Sequence, residues 1–144
     1  MLKINKKVEY ALIALKHMEK AGAQRPVSAR EISTNHQISR ELVSKVLQSL
    51  TAGGILKSEQ GKHGGYRISA PLNETTVLML HELLEGPFVY ASCTGGQAHA
   101  CLLEKRCTVA GPVKYLGKKI RELFSNINLE DLLEEENDSS PFGD

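Results

Sequence analysis

The chain has 144 residues, 41% of them apolar but only 5% aromatic, with no Trp and a formal net charge of +1. That length supports one aliphatic, mostly helical core without covalent staples; no stretch approaches the roughly 18 apolar residues of a membrane span, and Met1 to Lys7 carry no apolar export signal, so a cytoplasmic protein with no membrane partner is expected. The charge is unevenly placed: residues 1–72 hold twelve Lys and Arg against five Asp and Glu, a net of +7, and residues 73–144 hold six against twelve, which points the first half toward a polyanion.

A first helix is expected from Asn5 to Ala21, because Val8, Ala11, Leu12, Leu15 and Met18 recur at helical spacing and Gly22 follows. Ser28, with Glu31 three residues on, forms a capping box that opens a short second helix fading at Asn35-His36-Gln37. Ser39 is the expected N-cap of a third helix running to about Ala52, with Leu42, Val43, Val46, Leu47 and Leu50 as its buried face. Ile55 to Glu59 and Tyr66 to Ser69 read as strands around a Gly-rich turn. Two short capped helices followed by a basic hairpin make a winged helix-turn-helix, a more specific signal than the helix pair alone.

Beyond Pro71, a fourth helix is expected from Thr76 to Glu85, with Val77, Leu80, Leu83 and Leu84 along one side. Gly86-Pro87 breaks it, and Phe88 to Cys107 shows neither helical nor strand period, a length of chain that a metal site would organise. Val109, Val113, Leu116, Ile120, Leu123 and Ile127 then recur at alternating intervals of 4 and 3, with Lys118, Lys119, Arg121 and Glu122 outward. So narrow a seam favours pairing with a second copy of the chain. A last short turn, Asn128 to Leu133, precedes an acidic tail expected to be disordered. The expected fold class is mainly α with a small β-hairpin wing. It comprises a winged helix-turn-helix domain (1–72), a cysteine loop with a long dimerisation helix (73–133), and the tail (134–144).

In a helix-turn-helix the N-terminal half of the second helix meets base edges in the major groove. The outward residues there are Ser39, Arg40, Glu41, Ser44 and Lys45, all able to donate to or accept from bases or phosphates. Ser28 and Arg30 would stand over the phosphate backbone, joined by Lys62, His63 and Arg67 of the wing. The three cysteines, Cys93, Cys101 and Cys107, are separated by seven and five residues. An odd, clustered set argues against a disulfide framework and for metal or thiol chemistry. Thiolates suit an iron–sulfur cluster, a zinc site completed by His99, or reversible oxidation without metal. No paired carboxylates, nucleophile elbow or phosphate-binding loop marks an enzyme. A small zinc or iron–sulfur carrier or scaffold without DNA function is the competing reading, and it leaves the basic half and the wing unexplained.

Several motifs together carry a resemblance: Lys6-Lys7-Val8-Glu9-Tyr10-Ala11-Leu12, Gly61-Lys62-His63-Gly64-Gly65-Tyr66, the three cysteines before the long helix, and Asn126-Ile127-Asn128-Leu129. By these, from Leu2 to Leu133, the chain resembles the Rrf-two family of bacterial winged-helix transcriptional regulators. The resemblance implies a homodimeric repressor on a pseudo-palindromic double-stranded DNA operator. Its affinity would be controlled by a 2Fe-2S or 4Fe-4S cluster responding to redox state, nitric oxide or iron–sulfur status. It implies Cys93, Cys101 and Cys107 as ligands. For a fourth donor, some members use a histidine three residues past the last cysteine, where this chain has Ala110. Others use an acidic residue of the first helix, contributed by the partner subunit, where this chain has Glu9. Two departures stand out. Gln60 replaces the arginine often found before the first wing glycine, and the first cysteine interval is two residues longer than the commoner spacing.

Overall fold

The computed structural model describes residues 4–91 and 101–135 of the chain. Helix α1 (Lys6–Ala21) begins where the Asn5 side chain accepts from the Lys7 amide, and it ends at Gly22, whose φ of 79° favours glycine. Helix α2 (Ala29–His36) opens on Ser28, whose hydroxyl accepts from the Glu31 amide at 3.1 Å, and stops at Gln37 in the left-handed conformation. Helix α3 (Arg40–Ala52) buries Val43, Val46, Leu47 and Leu50.

Two expectations about α3 are corrected. Ser39 stands at the N-cap position but makes no capping hydrogen bond, and Leu42 is 44% exposed instead of buried. One residue turns an α-helix by about 100°, so Leu42 lies to one side of the face that Val43, Val46, Leu47 and Leu50 already fill.

Strands β1 (Leu56–Glu59) and β2 (Gly65–Ile68) form an antiparallel hairpin, with Leu56 opposite Ile68 and Glu59 opposite Gly65. A Cβ on Gly65 would come within 2.6 Å of the Val27 carbonyl oxygen. The approach is that close because Val27 and Tyr66 exchange backbone hydrogen bonds of 2.9 and 2.8 Å, stitching the wing to the segment that enters α2.

Helix α4 (Val77–Glu85) is capped by Thr76, and α6 (Leu129–Glu134) by Asn128, which accepts from the Asp131 amide at 2.8 Å. Among the described residues between them lie a 3-10 turn (Glu104–Arg106) and α5 (Ala110–Asn126). Helix α6 is more than a closing turn. Its Leu129 and Leu133 are buried in the same core as Val8, Leu15, Leu47 and Leu80. The Leu129 amide donates to the Thr75 carbonyl at 2.8 Å and the Val77 amide to that of Ile127 at 2.9 Å, so the core continues across residue 72. Helix α5, by contrast, buries no residue. It packs along α4, leaving Val113, Ile120 and Phe124 half-buried, and the Phe124 ring stands edge-on to Phe88, just past α4, at 5.4 Å. Arg121, expected to point outward, reaches Glu82 of α4 at 2.5 Å. The architecture is mainly α with a small β-hairpin wing. Residues 136–144 of the expected tail lie outside the described residues. Among the described residues no helix is long and apolar enough to cross a membrane.

Candidate nucleic-acid interface and cysteine site

The first turns of α3 present Ser39, Arg40, Glu41 and Lys45 to solvent, with Ser44 half-buried behind them. Lys45 pairs with Glu41 one turn away at 2.7 Å and holds its carboxyl below the usual carboxylate range. An exposed pair of this kind is weak and gives way readily to other partners. Arg30, on the first turn of α2, and Lys62 and His63, at the hairpin tip, are likewise exposed. Among the described residues Arg30, Arg40 and Lys62 form no ion pair, so their charge is available to an anion. Ser28 serves as the α2 cap, and the Val27–Tyr66 pairing sets it directly beside the wing.

Arg67, unlike Arg30, Arg40 and Lys62, is already engaged within the fold. Its guanidinium donates to the Ala23 carbonyl, to that of Gln24 at 3.3 Å, and faces Glu59 at 2.5 Å. It therefore braces the wing against the loop between α1 and α2, with its charge matched inside the fold.

A polar cluster between α1 and α2 carried no signal in the sequence. Arg25 donates to both Glu31 oxygens at 2.8 Å, His17 Nε2 lies 2.8 Å from the same carboxylate, and His17 Nδ1 lies 3.1 Å from His36 Nε2. Hydrogen bonds from Arg25 and then His17 hold the Glu31 carboxyl down to about 2. Burial, with His17 and Lys20 nearby, pushes the His36 imidazole down. Residues 17, 25, 31 and 36 share no period, so only the packing of two helices reveals that they meet.

Cys101 and Cys107 are half-buried free thiols on either side of the 3-10 turn, and Cys107 stands three residues before α5 begins. Cys93 and His99 lie outside the described residues. Glu9 is on the first turn of α1, with its carboxylate 2.6 Å from Lys6 Nζ, an interaction that raises the Lys6 pKa. Among the described residues no three His, Cys, Asp or Glu side chains gather closely enough to hold a metal ion, so one chain does not bring Glu9 to Cys101 and Cys107. The donor chemistry itself, soft thiols in a partly desolvated segment, suits iron–sulfur or zinc ligation.

At the entry to α5 and along it, Val109, Leu116 and Leu123 follow one another every seventh residue and are 53%, 45% and 57% exposed. The helix also walls an apolar groove of about 820 Å³ that includes Val8, Leu12, Val77 and Leu132.

Residues 4–135 match the Rrf2 (Rrf-two) family model, described as an iron-dependent transcriptional regulator. The HTH-type transcriptional regulator NsrR of Oceanobacillus iheyensis is 26% identical over 135 residues, which is 94% of this chain and 92% of that protein. Among solved structures, CymR, the global cysteine regulator of B. subtilis, aligns with a TM-score of 0.72 at 24% identity over 92% of this chain and 97% of its own. IscR of T. potens aligns with a TM-score of 0.70 at 23% identity, over 99% and 94%. At these identities the two structures share the fold.

Proposed function

Since the chain belongs to the Rrf2 family of transcriptional regulators, which are not enzymes, we propose that it is a homodimeric repressor whose grip on a DNA operator is set by an iron–sulfur cluster. The observation that carries this reading is the position of Cys101 and Cys107 directly before α5, between a basic winged helix and an exposed apolar stripe. In this reading Arg40, Lys45, Glu41, Ser39 and Ser44 address base edges in the major groove, while Arg30, Ser28, Lys62 and His63 hold the backbone. Val109, Leu116 and Leu123 pack on a second copy, which makes the operator a pseudo-palindrome.

Cys93, Cys101 and Cys107 would hold the cluster, with Glu9 of the partner subunit as the fourth donor. Ala110 cannot supply the alternative histidine. When bound, the cluster supplies a centre reactive toward oxidants and nitric oxide. The family model's description as iron-dependent supports this choice over zinc. A carboxylate is a weaker iron ligand than a thiolate, so Glu9 is the arm that yields first. A donor from α1 of the partner subunit would tie the cysteine loop of one protomer to the DNA-reading half of the other. Loss of that tie would then bias the relative arrangement of the two halves.

The test is anaerobic isolation, with an absorption spectrum and iron and sulfide analysis, followed by binding to a duplex enriched from random sequence. The expected protein is coloured and contains iron and sulfide, both lost in Cys93→Ser, Cys101→Ser or Cys107→Ser with helicity kept. Glu9→Ala should keep a more labile cluster. Half-sites should lie about 34 Å apart or a multiple of it. Affinity should fall with salt in log–log form by about 0.9 per phosphate contact. Stoichiometric zinc without sulfide would replace the cluster by a zinc site, and a monomer indifferent to every duplex would end the reading.

A further inference from the structure

Of the five Val and Leu residues in α3, four are at most 4% exposed, and Leu42 alone is 44% exposed. A single exposed leucine on a protein surface is ordinary; the position of this one is what matters. It lies in the first turn of α3 beside Ser39, Arg40 and Glu41, all exposed, and three residues before Lys45. The buried face of α3 is made by Val43, Val46, Leu47 and Leu50, and Leu42 stands at its edge with much of its apolar surface open to solvent. Its neighbours all recognise hydrogen-bonding groups or phosphate charge. Leu42 can do neither and senses only shape and apolar surface. Base edges in the major groove offer one apolar feature, the C5-methyl group of thymine.

From this we infer that Leu42 is a specificity residue that packs on a thymine methyl in each operator half-site. The inference rests on the DNA-binding reading above and adds to it a readout made without hydrogen bonds. Arg40 and Lys45 supply attraction and polar pairing, and Leu42 decides thymine against cytosine at one position through the methyl group that cytosine lacks.

The experiment starts from the duplex enriched by the wild-type protein and replaces each thymine of one half-site in turn by uracil. That change removes a methyl group and leaves the pairing edge intact. At one position uracil should weaken wild-type binding about fourfold, the effect of one methyl-sized group returning to water. At that position Leu42→Ala should bind the thymine and uracil duplexes equally, while Leu42→Met, of similar apolar volume, keeps a preference for thymine. Thermal unfolding and oligomeric state of both variants should match the wild type, which separates recognition from folding. An equal uracil penalty in wild type and Leu42→Ala overturns the inference, as does a half-site in which no uracil weakens binding. Failure to enrich any duplex overturns it together with the DNA-binding reading, and that result is distinct from the other two.

Discussion

Helix α3 carries Val43, Val46, Leu47 and Leu50 at helical spacing and buries all four, whereas α5 carries Val113, Leu116, Ile120 and Leu123 at the same kind of spacing and buries none. The difference lies in what surrounds them. Helix α3 packs against α1, α2, α4 and β1, while α5 leans on α4 alone among the helices it contacts extensively, leaves Ile120 and Phe124 half-buried, and turns Leu116 and Leu123 to solvent. An apolar period therefore announces that a face needs covering, and it is silent on whether the cover comes from the same chain. Fully burying a leucine contributes about 1.5–3 kcal/mol, so the stripe on α5 is a substantial reserve for association.

The contrast is open to direct attack. The largest effect belongs to Leu47→Ala in α3, which should cost about 2–5 kcal/mol in chemical denaturation. Its unfolding midpoint should shift by the same amount at every protein concentration. Leu116→Glu combined with Leu123→Glu should leave the far-ultraviolet circular dichroism helical and convert the protein to a monomer in sedimentation velocity. The loss of two-site binding should then weaken operator affinity by about a hundredfold. A double variant that unfolds at all concentrations would place the stripe with α3 after all.

Helix α2 is held by its own chain in a third way, through charge, and Glu31→Gln measures how much that contributes. The folded pKa of Glu31, about 2, lies below the unfolded value of roughly 4.3. The stabilisation is therefore complete above the unfolded value and disappears as pH falls through the folded one. At pH 7 the variant should lose about 1–2 kcal/mol, allowing for solvent screening of a partly exposed site. Its stability should also change less than that of the wild type between pH 5 and about 2; identical acid limbs would show that Arg25 and His17 contribute nothing. The smallest effects separate the two serines. Ser28→Ala should cost about 1 kcal/mol because it removes a cap that is made. Ser39→Ala should cost only a few tenths, because no capping bond is present to lose.

Features written in a few consecutive residues could be read directly. The Ser28 cap of α2, the Gly22 stop and the Gly-rich hairpin depend on local backbone chemistry and appear where their residues imply, whereas the Glu31 carboxylate, expected to close a capping box on Ser28, is taken instead by Arg25 and His17. The fate of Leu42 could not be read that way. Periodicity locates the middle of a buried face well and its edge poorly, and Leu42 sits at the edge. Arg67 looked like a free cation because its partners, the carbonyls of Ala23 and Gln24, lie more than 40 residues earlier and carry no side-chain signature. Leu129 and Leu133, read as part of a last short turn, instead close the core, since the Thr75 and Ile127 carbonyls that anchor the α6 entry belong to the backbone. Arg40, Lys45 and Lys62 are exposed as expected, because helix starts and hairpin tips face solvent by construction. The cysteines were legible by donor type, whereas the meeting of Glu9 with them is a question of two chains that one chain's pattern does not contain.

Thr76 and Asn128 pair across the junction where α5 ends and α6 begins, and Val77 bonds Ile127 beside them. Helix α5 is thus pinned at its C-terminal end to the base of α4, while its other end begins three residues after Cys107. Seventeen residues at 1.5 Å each make a rod of about 25 Å. A swing of about 10° around the pin carries the Cys107 end through roughly 4 Å, with Leu129 still seated in its socket. In the dimeric reading proposed above, the same angle between two DNA-reading units about 34 Å apart would displace one against the other by about 6 Å, a misfit that a rigid double helix registers.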